Sequence, residues 1–244
     1  MTQKQGEREP AISVESIGVA YRRRAGFFRS DKYWALKDVS FDVYRGETLG
    51  VIGRNGVGKS TLLRLLAGLI SPDRGQVVNH GVSATLLSLQ VGFVKHLTGR
   101  ENAILSGMML GLSRDEVLSQ MDNIYSYADI GEFFDQPVHG YSSGMRARLG
   151  FSVAIYTDPD MVLLDEVLGV GDASFREKSV KTIKKLIRSE KSVVLVSHQP
   201  AAHRELCDRL IWIEGGVVQG SGEVGGVLEE YLQYHRKKKE HNSG

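Results

Sequence analysis

Cysteine is nearly missing from this sequence. Cys207 is the only one among 244 residues, so an internal disulfide is excluded and a reducing compartment is the simplest setting. No apolar run approaches the length needed to cross a bilayer. Met1 to Pro10 is polar and mixed in charge, unlike a secretory signal. A dominant charge sign is missing too: 31 Lys and Arg against 29 Asp and Glu leave a net +2. That balance excludes a global basic field for nucleic acid. Two local basic runs remain, Arg22-Arg23-Arg24 and Arg236-Lys237-Lys238-Lys239, the second in a polar tail over 236–244. Each is either a solvated face or a contact with an anionic membrane surface or phosphate. With 41% hydrophobic and 25% charged residues, the chain has the composition of a globular protein, long enough for one large α/β domain.

What is present is a glycine-rich stretch, Gly53-Arg54-Asn55-Gly56-Val57-Gly58-Lys59-Ser60, which fits G-x-x-x-x-G-K-[ST]. Leu49, Val51 and Ile52 before it read as the end of a strand, and Thr61 to Leu69 after it reads as a helix. Strand, turn and helix together aim several backbone N–H groups at one point, where the helix start adds partial positive charge. Glycines keep Cβ atoms out of an anion's way. Lys59 is placed to reach β- and γ-phosphates, and the Ser60 hydroxyl to ligate Mg²⁺. The pattern predicts nucleotide binding without saying what the energy drives.

Strand signals flank this motif. Residues 11 to 20 alternate (Ile12, Val14, Ile17, Val19), and Ala35 to Val43 and Gly46 to Ile52 read as further strands, with Gln76 to Asn79 and Ala84 to Leu89 as short ones. A long basic and aromatic loop is expected from Arg22 to Trp34. From Thr98 to Asp158 the period turns helical, at Glu101 to Leu110, Ser113 to Ala128 and Ser142 to Thr157, with Ser113 and Glu116 as a capping box. Strands then return at Met161 to Leu164, Ser192 to Val196 and Leu210 to Ile213, alternating with helices at Phe175 to Ser189 and Pro200 to Cys207. Val224 to His235 reads as a last amphipathic helix. The alternation implies an α/β fold with a parallel sheet covered on both faces and a helical subdomain inserted over about 98–158.

Met161-Val162-Leu163-Leu164-Asp165-Glu166 is an apolar strand ending in two carboxylates. Ligands sit at the carboxyl ends of such strands. Asp165 is placed to hold Mg²⁺, and Glu166 to polarise an attacking water as general base.

Three further segments carry a resemblance. Tyr141-Ser142-Ser143-Gly144-Met145 resembles the L-S-G-G-Q signature of ATP-binding-cassette (ABC) ATPases, Val196-Ser197-His198 resembles their switch histidine, and Gly169-Val170-Gly171-Asp172 stands at their D-loop. The order of motifs matches that family from about Ile12 to Gln219. The resemblance implies a P-loop NTPase core of mixed sheet and helices, an antiparallel β subdomain and the helical insert, with 1–235 as a single nucleotide-binding domain. It implies ATP and Mg²⁺ as cofactors and a head-to-tail homodimer. Each P-loop would be covered by Ser142, Ser143, Gly144 and Met145 of the second copy, and His198 would touch the γ-phosphate. The ATP-binding set on this reading is Gly53, Arg54, Asn55, Gly56, Val57, Gly58, Lys59, Ser60, Thr61 and Tyr21. Tyr21 stands where the family stacks a ring on adenine; Tyr33 and Trp34 are rivals for that role.

Leu89-Gln90-Val91-Gly92-Phe93 followed by Leu97-Thr98-Gly99-Arg100-Glu101-Asn102 resembles the branch that exports O-antigen, capsule, teichoic acid and related lipid-linked glycans. Gln90 sits one place off the usual register of the family's Mg²⁺-binding glutamine. The resemblance implies a two-copy ABC-2 type permease that handles the glycan, and a peripheral position on the cytoplasmic face of a bacterial inner membrane. No C-terminal carbohydrate-binding domain is expected after Leu232. The Arg22 to Trp34 segment, with Phe27 and Phe28, is expected to pack on permease or membrane. Alternatives are the ATPase of another ABC importer or exporter, and a non-transport ABC ATPase acting on nucleic acid or the ribosome.

Overall fold

A computed structural model of the protein describes residues 8–24, 30–87, 92–165 and 172–241. Two long strands, β1 (Pro10–Arg24) and β2 (Ser30–Tyr44), form an antiparallel hairpin paired from Pro10↔Tyr44 to Arg24↔Ser30. The buried residues of β1 change phase between Val14 and Ile17. A register shift there, with Ser16 at φ 46 and its N–H on Ser40 Oγ (2.8 Å), returns Ile17 and Val19 to the core face. The expected Arg22–Trp34 loop is therefore mostly ladder: both of its described ends lie in strands, and residues 25–29 lie outside the described residues.

The larger sheet holds β3 (Thr48–Ile52), β5 (Ala84–Leu86), β6 (Met161–Asp165), β7 (Ser192–Val196), β8 (Arg209–Glu214) and β9 (Val217–Gly222), while β4 (Arg74–Asn79) pairs with β1. The strand order is β4-β1-β2-β9-β8-β3-β7-β6-β5, parallel from β8 to β5. β2 and β9 join the two parts at Asp38↔Val217. β9 is invisible to periodicity because Gln219, Gly220, Ser221 and Gly222 offer no apolar alternation.

Continuous apolar runs mark strands covered on both faces. In β6, Met161 and Leu163 pack with α1 (Lys59–Leu66), whereas Val162 and Leu164 pack with Phe151, Phe175 and Ile183 on the opposite face. The other core helices are α6 (Ala173–Ile187), α7 (Pro200–Leu206) and α8 (Val224–His241).

Between β5 and β6 lie α2 (Gly99–Met109), α3 (Arg114–Ser119), α4 (Met121–Ala128) and α5 (Ser143–Tyr156), with a core of their own around Phe134, Ile124 and Leu149. The one helix expected over Ser113 to Ala128 is two, because Gln120 leaves helical geometry at φ −95, ψ 0. The L-T-G-R-E-N segment explains itself here. Thr98 and Glu101 form the capping box of α2. Asn102, fully buried, accepts from Val94 N–H (2.8 Å) and donates to the carbonyls of Val94, Leu97 and Thr98. Asn102→Ala orphans these groups and should destabilise the fold by about 2 kcal/mol or more, read by urea unfolding; an unchanged midpoint would refute the pin.

Candidate nucleotide site

The glycine-rich loop leaves β3 with no room for a side chain at Gly53 or Gly58. A Cβ on Gly53 would sit 2.3 Å from the Ile213 carbonyl oxygen. Gly58 lies at φ +101, and a Cβ there would sit 2.6 Å from the Ala35 oxygen. Helix α1 has Gly58 as its N-cap residue and so no side-chain cap, as α4 and α7 also have none, while α2, α3, α5 and α6 are capped by Thr98, Ser113, Ser142 and Asp172. Its first N–H groups are thus left for an anion. Lys59 is 6% exposed, and its Nζ donates to the carbonyls of Gly53 (2.8 Å) and Arg54 (3.0 Å).

A cleft of about 560 Å³ gathers Tyr21, Tyr33, Asn55, Gly56, Gly58, Lys59, Ser60, Thr61 and Asp165. Tyr21 and Tyr33 stand opposite each other across β1 and β2. The Tyr21 hydroxyl lies 3.3 Å from Thr61 Oγ1, and the Tyr33 hydroxyl donates to the Gly56 oxygen (3.1 Å). Both rings are exposed, at 42% and 50%. Trp34 does not line this cleft; its indole crowds Gly18 and lies under Lys32 and Arg74. Asp165 ends β6 beside Val196 of β7, and β7 lies between β6 and β3. His198, two residues past β7, is exposed. Glu166, Gln90 and Gly169 to Gly171 lie outside the described residues.

The Tyr141–Met145 segment opens α5. Tyr141 is buried, and its hydroxyl donates to the Phe133 carbonyl (2.5 Å). Burial pushes that phenol up to about 12. Ser142 caps the helix by accepting the Met145 N–H (3.1 Å), which leaves its own O–H able to donate outward. Ser143 is exposed beside it.

Asp172 lies away from the cleft lining and caps α6. Its Oδ1 accepts from the Ser174 hydroxyl (2.8 Å) and the Phe175 N–H (3.1 Å), and its Oδ2 accepts from Arg148 (2.5 Å) on α5. These bonds, Ser174 first, hold its carboxyl at about 2. Arg148 also donates to the Asp129 oxygen (3.1 Å) and lies over the Phe175 ring. Arg148 and Asn102 are structural contributors that sequence reasoning did not single out. The L-T-G-R-E-N spacing could have pointed to Asn102. Nothing local marks Arg148, whose partners are 19 and 24 residues away.

The family described as ABC transporter matches residues 36–169. The chain belongs to the ABC transporter family. ATP binding and hydrolysis come with that membership. Among curated relatives, an O-antigen export system ATP-binding protein, RfbB of Klebsiella pneumoniae, is 44% identical over 87% of this chain and 86% of its own length. A teichoic acids export ATP-binding protein, TagH of Listeria innocua, is 42% identical over 84% of this chain and 61% of its own. Among solved structures, the dimeric ATP-binding cassette MJ0796, bound to ADP and Pi in a post-hydrolysis state, superposes with a TM-score of 0.70. It is 22% identical and covers 87% of this chain and 98% of its own, which shows the shared fold.

Asp172→Asn keeps the helix cap but removes the charge that faces Arg148. A carboxyl at about 2 lies below the ordinary ~4. Its ionised form therefore stabilises the fold fully above pH ~4 and stops doing so as pH falls towards 2. The variant should melt below wild type at pH 7, and the gap should close on acidification. A gap independent of pH would refute the charge pairing.

Proposed function

We propose that this chain is the ATP-hydrolysing subunit of an exporter of lipid-linked polysaccharide. Two copies would act with two copies of an ABC-2 type permease at the cytoplasmic face of a bacterial inner membrane. The observation that carries the reading is the 44% identity to an O-antigen export ATP-binding protein across 86% of that relative. Residues 1–235 serve as one nucleotide-binding domain with its helical insert over 98–158.

In this reading the N–H groups at the start of α1 and the Lys59 ammonium bind the phosphates. Lys59 exchanges its loop carbonyls for phosphate oxygens. Tyr21, backed by Thr61, offers its ring to the adenine. The Ser60 hydroxyl and the Asp165 carboxylate, oxygen donors lining one cleft, suit Mg²⁺. When bound, that ion neutralises phosphate charge. Gln90 is a further candidate donor to it. Glu166, next after Asp165, takes the proton from the attacking water. His198 contacts the γ-phosphate. Ser142, Ser143 and Gly144 of the second copy close the site, with the outward Ser142 O–H donating to phosphate, and Met145 and Asp172 flank that contact. Glycan choice lies with the permease.

Glu166→Gln should keep ATP affinity and lose turnover by about a hundredfold or more, measured by phosphate release. Turnover at the wild-type rate would remove Glu166 as the base. Co-expressed with the permease, wild type but not Glu166→Gln should deliver lipid-linked glycan to the cell surface. Export that continues without this chain would remove the transport role.

A further inference from the structure

His203 on α7 has no exposed surface. Its Nε2 lies 2.9 Å from the carbonyl oxygen of Ser197. A carbonyl only accepts, so Nε2 carries the proton and Nδ1 does not. Nδ1 faces Cys207 Sγ at 3.6 Å. Burial keeps the Cys207 thiol protonated, pushed up to about 12, so its S–H points a donor at Nδ1. Burial likewise lowers the His203 pKa and keeps the ring neutral. Both ring nitrogens are thereby committed.

The ring is wedged between two functional segments. Below it runs β3, the strand that feeds the glycine-rich loop. A Cβ on Gly50 would come within 2.8 Å of His203 Nδ1 and 2.9 Å of Cys207 Sγ, so only glycine fits under the pair. Above it is Ser197, the residue before His198. Ser197 is itself buried, and its Oγ accepts the Gln199 N–H at 3.1 Å. The turn carrying His198 is thus gripped at the carbonyl before it and the amide after it.

We propose that His203 is a positioning residue whose Nε2–H, clamped on the Ser197 carbonyl, fixes the backbone that aims His198 at the γ-phosphate. The proposal rests on the reading of His198 given above. A backbone that drifts by an ångström at a reacting group costs rate rather than substrate affinity. Cys207 holds the ring from behind.

Steady-state ATPase kinetics of His203→Leu, His203→Gln, His198→Ala and the double variant His198→Ala/His203→Leu test it. His203→Leu should lower kcat about tenfold with KM for ATP within about twofold. His203→Gln, whose amide can reach the same carbonyl, should recover most of that loss. On the His198→Ala background, His203→Leu should add no further loss, because it acts through the group already removed. Cys207→Ala should give a smaller fall in kcat at the same KM. Wild-type kcat in His203→Leu beside an impaired His198→Ala overturns the clamp alone. If His203→Leu does not fold, wild-type kcat in Cys207→Ala does the same. A KM raised beyond about twofold, or an equal fall in kcat on the His198→Ala background, overturns it as well. Wild-type turnover in His198→Ala removes the γ-phosphate reading and the clamp with it.

Discussion

Backbone N–H groups hold a triphosphate only where nothing stands between them and the oxygens. That constraint runs through the whole molecule. It strips the side chain from Gly53 because β8 lies behind it, and from Gly58 because β2 lies beside it. The loop is therefore pressed between the central sheet and the β1–β2 hairpin. Those two meet at Asp38↔Val217, reinforced by Lys37 N–H on the Gly216 oxygen (2.8 Å). Lys59 and Tyr33 tie the loop's own carbonyls. The cradle is shaped by its neighbours, so little ordering remains to be done when a nucleotide arrives.

The helical insert is built as a second firm body. Asn102 seals its first turn, and the Arg100–Asp135 pair (2.7 and 3.2 Å) ties α2 to the segment ahead of α5. An exposed pair of this kind adds little stability. Arg148 then joins α5 to the start of α6 through Asp172. One guanidinium thus links α5 to the N-cap of the helix that comes after β6.

Elements with a strong local signal were legible from sequence. The β7 bounds agree throughout, and the Ser113–Glu116 capping box forms as expected. The fold class and the family followed from motif order. The departures have physical causes. The Arg22–Trp34 stretch lacks clean alternation, yet cross-strand pairing from Tyr21↔Tyr33 to Arg24↔Ser30 makes its two described ends ladder. β9 is too polar and glycine-rich to announce itself and exists because β8 and β2 offer it edges. Of the three candidate rings, Tyr21 and Tyr33 line the cleft, whereas Trp34 follows Tyr33 in the strand and so faces away from it. Arg148 gave no local sign, because its partners lie 19 and 24 residues away, whereas His203 sits one helical turn from Cys207 but holds a carbonyl, that of Ser197, which only the fold brings to it.

In the proposed function the cleft at Lys59 is half a site, completed by Ser142 to Gly144 of another copy. Disulfide trapping tests this, since Cys207 is only partly exposed and its thiol is held at about 12, so it contributes little background. An Asn55→Cys chain mixed with a Ser143→Cys chain should cross-link into a dimer in the presence of MgATP and not in its absence. Failure to cross-link with MgATP, or equal cross-linking without it, would contradict the account.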